Sequence, residues 1–310
     1  MTDTATLLQV LSRSPCVSGQ ALAEQLEVSR TRVWQLVQEL RALGYSIRSQ
    51  PGCGYEWHDT FEPLSSDRLA AQLEPDWTLS LVWHTDSTSN RLVAERSDRH
   101  ILFAEHQSAA RGRVGRHWLS YPGGLFFSAA RWFDHLTVGP QSLNPWVAAH
   151  AIAALQEIGI DGVSAKWPND LVIGCRKGGG VLMEIGGDPF GQCHVCVGVG
   201  VNWQPPPTVE QPVAGVAACC PPLINRNHVG GALAAAVARA LDAFPPADPS
   251  EVSAVWRRAD GYRGQRVRYS HGDQQAEGVV DGIDPDGALR LVTDSGLERF
   301  AAGELHLASY

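Results

Sequence analysis

The sequence predicts an α+β protein of several domains: a winged helix-turn-helix, then a mixed-sheet domain, then a small β-barrel. Three observations predict it. Helical spacing of apolar residues stops near residue 44 and gives way to two short strand-like runs. The middle of the chain interleaves strand patterns with helical ones. From Gly264 only short strand-like runs remain, separated by Gly/Asp turns. A chain of 310 residues, 44% hydrophobic, has room for two or three such cores. We place the domains at 1–62, 63–260 and 261–310.

Apolar residues at helical spacing predict helices over 5–11, 19–26 and 30–43, with Ser18 and Ser29 where N-caps belong. The short turn at 26–29 makes the second and third of these a helix-turn-helix. Two short strands, 44–47 and 54–57, joined by RSQPGC at 48–53, form its wing. Ser29, Arg30, Thr31, Arg32, Gln35 and Gln38 are then the side chains within reach of phosphates and base edges. The region is not basic as a whole: five arginines stand against five acids over 1–57. Weak DNA binding per subunit is expected, made useful by a dimer.

Residues 58–67 read as a polar linker. Strands are expected over 79–84, 101–105, 164–167, 181–185 and 194–202, and helices over 144–158 and 229–244, the last stopped by Pro245-Pro246. The sheet they form is mixed or antiparallel. The tail has expected strands at 266–269, 275–283, 289–293 and 298–301, with a strong turn at Asp284-Pro285-Asp286-Gly287.

The net charge of −8 argues against nucleic-acid binding over the whole surface and allows one local basic face. No apolar run is long enough for a membrane span, and no basic-then-apolar leader opens the chain, so a cytoplasmic location is expected. Seven scattered cysteines in a chain of this length predict reduced thiols. Cys193-His194-Val195-Cys196 has a metal-like spacing, but no second pair accompanies it; it reads as a buried strand, and no metal site is expected.

Three motifs carry chemistry. RGRVGRHW at 111–118 sets three guanidinium groups among glycines. Arginine forks hold phosphate or carboxylate, and glycines let the backbone approach. We expect an anion site there, on a loop held open by repulsion until the anion arrives. KWPNDL at 166–171 brings Lys166, Asn169 and Asp170 together at a strand end, and Arg176-Lys177-Gly178 follows closely. GVGVN at 198–202 lacks a third glycine and a following helix, which argues against a dinucleotide fold. No nucleophile elbow or Walker lysine is present. Many cations and one motif carboxylate suit a reaction that joins two anions, such as carboxylate activation by ATP.

DSTSN at 86–90, AEHQSAARGRVGRHW at 104–118, KWPNDL, RKGGGVLMEI at 176–185 and GVGVNW at 198–203 resemble the bifunctional biotin protein ligases that also repress the biotin operon. The resemblance extends over essentially the whole chain. It implies a class II synthetase-like ligase domain between the winged helix and an SH3-like cap. It implies that biotin, ATP and Mg²⁺ give biotinyl-5′-AMP, which passes biotin to a lysine of the biotin carboxyl carrier protein. The adenylate would also act as corepressor, favouring a homodimer on operator DNA.

By the same resemblance Ser87, Thr88, Ser89 and Gln107 line the biotin pocket, with Arg111, Gly112, Arg113 and Lys177 around its carboxylate. Arg113, Lys177, Lys166 and Asp170 carry the chemistry, with Asp170 orienting Lys166 or taking the incoming lysine's proton. Arg116, Trp118, Asn169, Gly180 and Asn202 hold the nucleotide. Two positions depart from the family pattern: Ala110 stands where the loop usually begins with glycine, and Ser89 where asparagine usually follows Ser-Thr. Two alternatives remain: a ligase whose N-terminal domain no longer binds DNA, and a biotin-sensing transcription factor without transfer activity.

Overall fold

The computed structural model describes residues 3–136, 139–206 and 212–308. The proline-rich stretch that follows Trp203 lies partly outside them, at 207–211. Helices α1 (Asp3–Arg13), α2 (Gly19–Gln25) and α3 (Arg30–Ala42) form where the periodicity places them. Ser18 accepts from Ala21 N and Ser29 from Arg32 N, both at 3.1 Å. Leu7, Leu11, Leu22, Val33, Leu36, Val37 and Leu40 close their core.

The wing differs from expectation. Its strands are β1 (Ile47–Gln50) and β2 (Gly54–Trp57), paired antiparallel. The first begins three residues late because Gly44, at φ +97°, caps α3, and Tyr45 turns inward to donate to Leu40 O at 3.1 Å. The expectation of reduced thiols is also corrected. Cys16 and Cys53 form a disulfide, Cα–Cα 6.2 Å. Val17 and Tyr55 exchange backbone hydrogen bonds of 2.9 and 2.8 Å beside it, and this pairing brings the two cysteines together. The other five are free.

The expected linker is packed rather than loose. Phe61 and Leu64 are buried, and Tyr45, Trp57, Phe61 and Trp83 form one aromatic cluster joining the wing to the next domain. Helix α4 (Ser66–Ala70) follows.

The central domain runs β3 (Thr78–Thr85), α5 (Thr88–Ala94), β4 (His100–Gln107), β5 (Gly124–Phe133), α6 (Leu143–Glu157), β6 (Val163–Lys166), β7 (Asp170–Ile173), β8 (Arg176–Gly187), β9 (Cys193–Asn202), α7 (Arg226–Asp242) and α8 (Ser250–Ala259). Its sheet order is β3-β4-β5-β9-β8-β7-β6. Only β3 and β4 run parallel, so the sheet is mixed, as expected. Val195, Val197, Val199 and Val201 enter the main core, to which α6 and α7 contribute. Cys193 and Cys196 are buried on β9, and no cluster of three metal-ligating residues occurs among the described residues. The same residues contain no helix long and apolar enough to cross a membrane.

The tail forms β10 (Arg266–His271), β11 (Gln274–Ile283), β12 (Leu289–Thr293), β13 (Gly296–Phe300) and β14 (Glu304–Leu307), in sheet order β13-β12-β11-β10-β14. The closed barrel expected from the sequence is not formed. β13 and β14 are sheet ends with no pairing between them among the described residues. Gly303, at φ +142° against Tyr269, lies in the turn from β13 to β14, which pairs with β10.

Candidate active site

Strand β3 ends into the DSTSN motif, whose Ser87 caps α5 by accepting from Asn90 N at 3.4 Å. This puts Thr88 and Ser89 in the first turn, buried beside the sheet. The parallel neighbour β4 ends at Gln107, whose Oε1 accepts from Thr88 N at 2.8 Å and Thr88 Oγ1 at 3.1 Å. Ser128 on β5 stands 2.7 Å from Thr88 Oγ1 and 2.9 Å from Ser89 Oγ. Three of the four expected biotin residues thus join one buried polar chain, and Ser87 holds the helix start. Ser128 is a residue that sequence reasoning missed. Its signal was a lone hydroxyl inside the apolar run LFFSAA.

The glycines of GVGV explain the floor. A Cβ at Gly198 would lie 3.0 Å from Ser89 Oγ, and one at Gly200 2.6 Å from Trp118 Cε2. Trp118 therefore lies against bare backbone, and Gly180 approaches its ring edge from β8. The buried Trp118 Nε1 has no acceptor among the described residues.

The arginine loop is folded rather than held open. Gly112 N donates to Arg116 O at 2.7 Å and Trp118 N to Ala110 O at 3.0 Å, which closes a short hairpin. Residues 113–115 form a 3-10 turn in which Val114 takes φ +54°. Repulsion does not dominate because each arginine has acceptors. Arg111 pairs with Glu184 at 2.8 Å and Arg116 with Glu304 of β14, while Arg113 donates to Asn169 Oδ1 at 3.3 Å and Gly303 O at 3.4 Å. The buried Ala110 only starts this hairpin, with its carbonyl.

Lys166 ends β6 and Asp170 starts β7. Asp170 was expected to orient Lys166, yet its carboxylate binds Lys177 Nζ at 2.7 Å. Lys166 instead lies over the Tyr262 ring, 5.9 Å from its centroid. Asn202 is spent internally, accepting from Tyr121 Oη at 3.0 Å and donating to Lys177 O at 3.2 Å. It braces the lysine strand while lining the cavity. Tyr121, Tyr262 and Glu304 lie outside the quoted motifs, and Glu184, inside RKGGGVLMEI, is assigned no role by the resemblance.

These groups surround one cavity of about 760 Å³. Lys166 and Arg113 form no ion pair with a carboxylate among the described residues. Burial pushes the Lys166 ammonium below the usual lysine range, with nearby Asp170 opposing and Lys177 adding to the shift. Burial likewise lowers Arg113, which stays charged as arginine does. A buried hydroxyl–amide chain, an indole with an unpaired donor lying over glycines, and cations without carboxylate partners line this one cavity, and together they fit a ligand that carries both polar and anionic groups.

Fold and site define a ligase-type domain preceded by a winged helix. Family models divide the chain the same way: an HTH domain over 4–56, the biotin/lipoate A/B protein ligase family over 82–202, and a biotin protein ligase C-terminal domain over 263–305. The chain is 29% identical to the bifunctional ligase/repressor BirA of Salmonella typhimurium, over 98% of this chain and 97% of that one. It is 30% identical to the biotin–[acetyl-CoA-carboxylase] ligase of Mycobacterium tuberculosis, over 69% of this chain and 82% of that one. The Aquifex aeolicus biotin protein ligase in complex with biotin and ATP superposes with a TM-score of 0.65 at 26% identity, covering 75% of this chain and 99% of that chain. The chain belongs to the biotin protein ligase family.

Proposed function

We propose that this protein activates biotin with ATP, transfers it to a lysine of the biotin carboxyl carrier protein of acetyl-CoA carboxylase, and represses transcription when the adenylate is bound. The observation that carries this reading is what one cavity brings together: hydroxyls and Gln107, the cations Arg113, Lys166 and Lys177, and Trp118 over glycines. A biotin carboxylate oxygen attacks the α-phosphorus and pyrophosphate leaves; a carrier lysine then attacks the acyl carbon and AMP leaves.

Thr88, Ser89, Ser128 and Gln107 hold the ureido ring, and the Ser89–Ser128 bond takes over the position where asparagine is usual. Arg113 and Lys166 offset the charge that repels carboxylate from phosphate, an electrostatic contribution made by groups already in place. Asp170 holds Lys177 toward the same region and stands ready to receive the incoming amine's proton. Trp118, Gly180 and Asn169 frame the nucleotide. Mg²⁺ would be carried mainly by the triphosphate, since Asp170, its nearest protein candidate, is already paired; it would neutralise phosphate charge.

The domains are 1–62, 63–260 and 261–310, the last a bent SH3-like unit that presses Glu304 and Gly303 onto the arginine loop. Carrier and DNA place the work in the cytoplasm. Adenylate binding favours a homodimer, which brings two helix-turn-helix units to two half-sites on operator DNA. The test of the first step is biotin-dependent exchange of labelled pyrophosphate into ATP. Exchange in wild type, lost in Arg113→Ala, supports it; no exchange in wild type overturns it.

A second reading, a ligase with a silent N-terminal domain, is favoured by one observation. Arg32, expected on DNA, is paired with Glu39 at 3.0 Å and faces Asp3 at 4.0 Å. Binding to duplex DNA that weakens steeply with salt separates the readings.

A further inference from the structure

On α3, Val33, Leu36, Val37 and Leu40 are buried, and Arg30, Thr31 and Gln35 are exposed. Trp34 is 55% exposed on the same helix and is the only large hydrophobic exposed in the described part of the winged helix. It stands one turn after Arg30 and two turns before Arg41. Arg41 donates to Ile47 O and to Ser49 Oγ, both at 2.9 Å, so this side of α3 faces the wing. Trp34, seven residues earlier, lies on that same side of α3. Its ring has no aromatic partner, and its N–H no acceptor, among the described residues.

An exposed indole leaves a large apolar area in water. A protein-docking patch surrounds such an anchor with further apolar side chains. By helical spacing its surface neighbours on α3 are Arg30, Thr31, Gln35 and Gln38, and the wing exposes Arg48 and Ser49. Arg30 and Arg48 form no ion pair among the described residues. A lone apolar group between unpaired cations matches a duplex major groove, where phosphates line the edges and the thymine 5-methyl is the apolar group on offer.

Resting on the DNA-binding reading above, we propose that Trp34 reads a thymine methyl in the major groove from the exposed face of α3, while Arg30 and Arg48 hold flanking phosphates. The full chain, loaded with biotin and ATP, is used to select duplexes from a randomised pool. In the selected duplex each thymine is replaced in turn by deoxyuridine, which removes only the methyl. Wild type loses about fivefold or more in affinity at one position per half-site, the lower range for one base-pair contact. Trp34→Ala binds the parent duplex correspondingly less well and no longer senses that replacement. If Trp34→Ala binds as wild type and senses deoxyuridine equally, the proposal fails and the DNA-binding reading stands. If no duplex is enriched, both fail. If Trp34→Ala alters self-association in sedimentation, the indole is a protein contact and the proposal is overturned.

Discussion

Two cation–carboxylate pairs in the central domain have the same 2.7 Å separation and opposite uses. Arg226 on α7 is wholly buried. Its Nη2 meets both oxygens of Glu105, at 2.7 and 2.8 Å, and its Nη1 donates to Gly124 O at 3.0 Å. Glu105 also accepts from Leu64 N in the packed linker. This pair is closed on itself and fastens the linker, β4 and α7 together. Lys177–Asp170 is open: its side chains are about a fifth exposed, and Lys166 and Arg113 stand nearby with no carboxylate of their own. A buried charge pair marks scaffold where each charge meets its opposite, and a site where cations are left over.

The largest expected effect breaks the closed pair. Glu105→Gln leaves the Arg226 charge uncompensated in the interior, which costs about 3–5 kcal/mol of stability. Urea unfolding measures it, with transfer activity of the folded protein near wild type at saturating substrates. A loss under about 1 kcal/mol would mean that the pair is not a buried fastening. The open cluster behaves the other way. Arg113→Ala lowers biotinyl-adenylate formation by roughly 10²–10³-fold, about 3–4 kcal/mol, while the urea midpoint stays close to wild type.

Gly200→Ala tests the floor between them. Its methyl would sit 2.6 Å from Trp118 Cε2, so the indole must shift. We expect about tenfold weaker ATP binding by calorimetry, in the range of a contact worth about 1.4 kcal/mol; unchanged binding would remove Trp118 from the nucleotide site. The smallest effect is on pH. Burial holds Lys166 below the usual lysine range, and an anion beside it raises it again. Adenylate binding therefore takes up at most about one proton, and affinity falls as pH rises through the free protein's Lys166 pKa. Calorimetry in buffers of different ionisation heat reads the uptake, and Lys166→Met removes it.

The winged helix was largely legible because its cues are local: caps, a turn and helical spacing within 57 residues. The ligase motifs were legible as clusters of cations and glycines. What was not legible depends on contacts distant in sequence. Glu105 and Arg226 are 121 positions apart, and Arg116 and Glu304 are 188 apart. α5 was missed because its first turn is rich in Ser and Thr, which favour caps and turns as readily as helix. β5 was missed because its apolar run does not alternate, being buried on both faces. The disulfide lies beside the Val17–Tyr55 pairing, and the tail's strand order is set by pairings such as β10 with β14, neither of which spacing alone reveals.

The most direct measurement is transfer of labelled biotin to a purified carrier domain by the full chain with ATP and Mg²⁺, comparing wild type with Arg113→Ala and Lys177→Ala. The account predicts that wild type labels the carrier lysine and both variants are slower by about two orders of magnitude or more. Wild type that binds biotin and labels nothing would contradict it and leave a biotin sensor in its place.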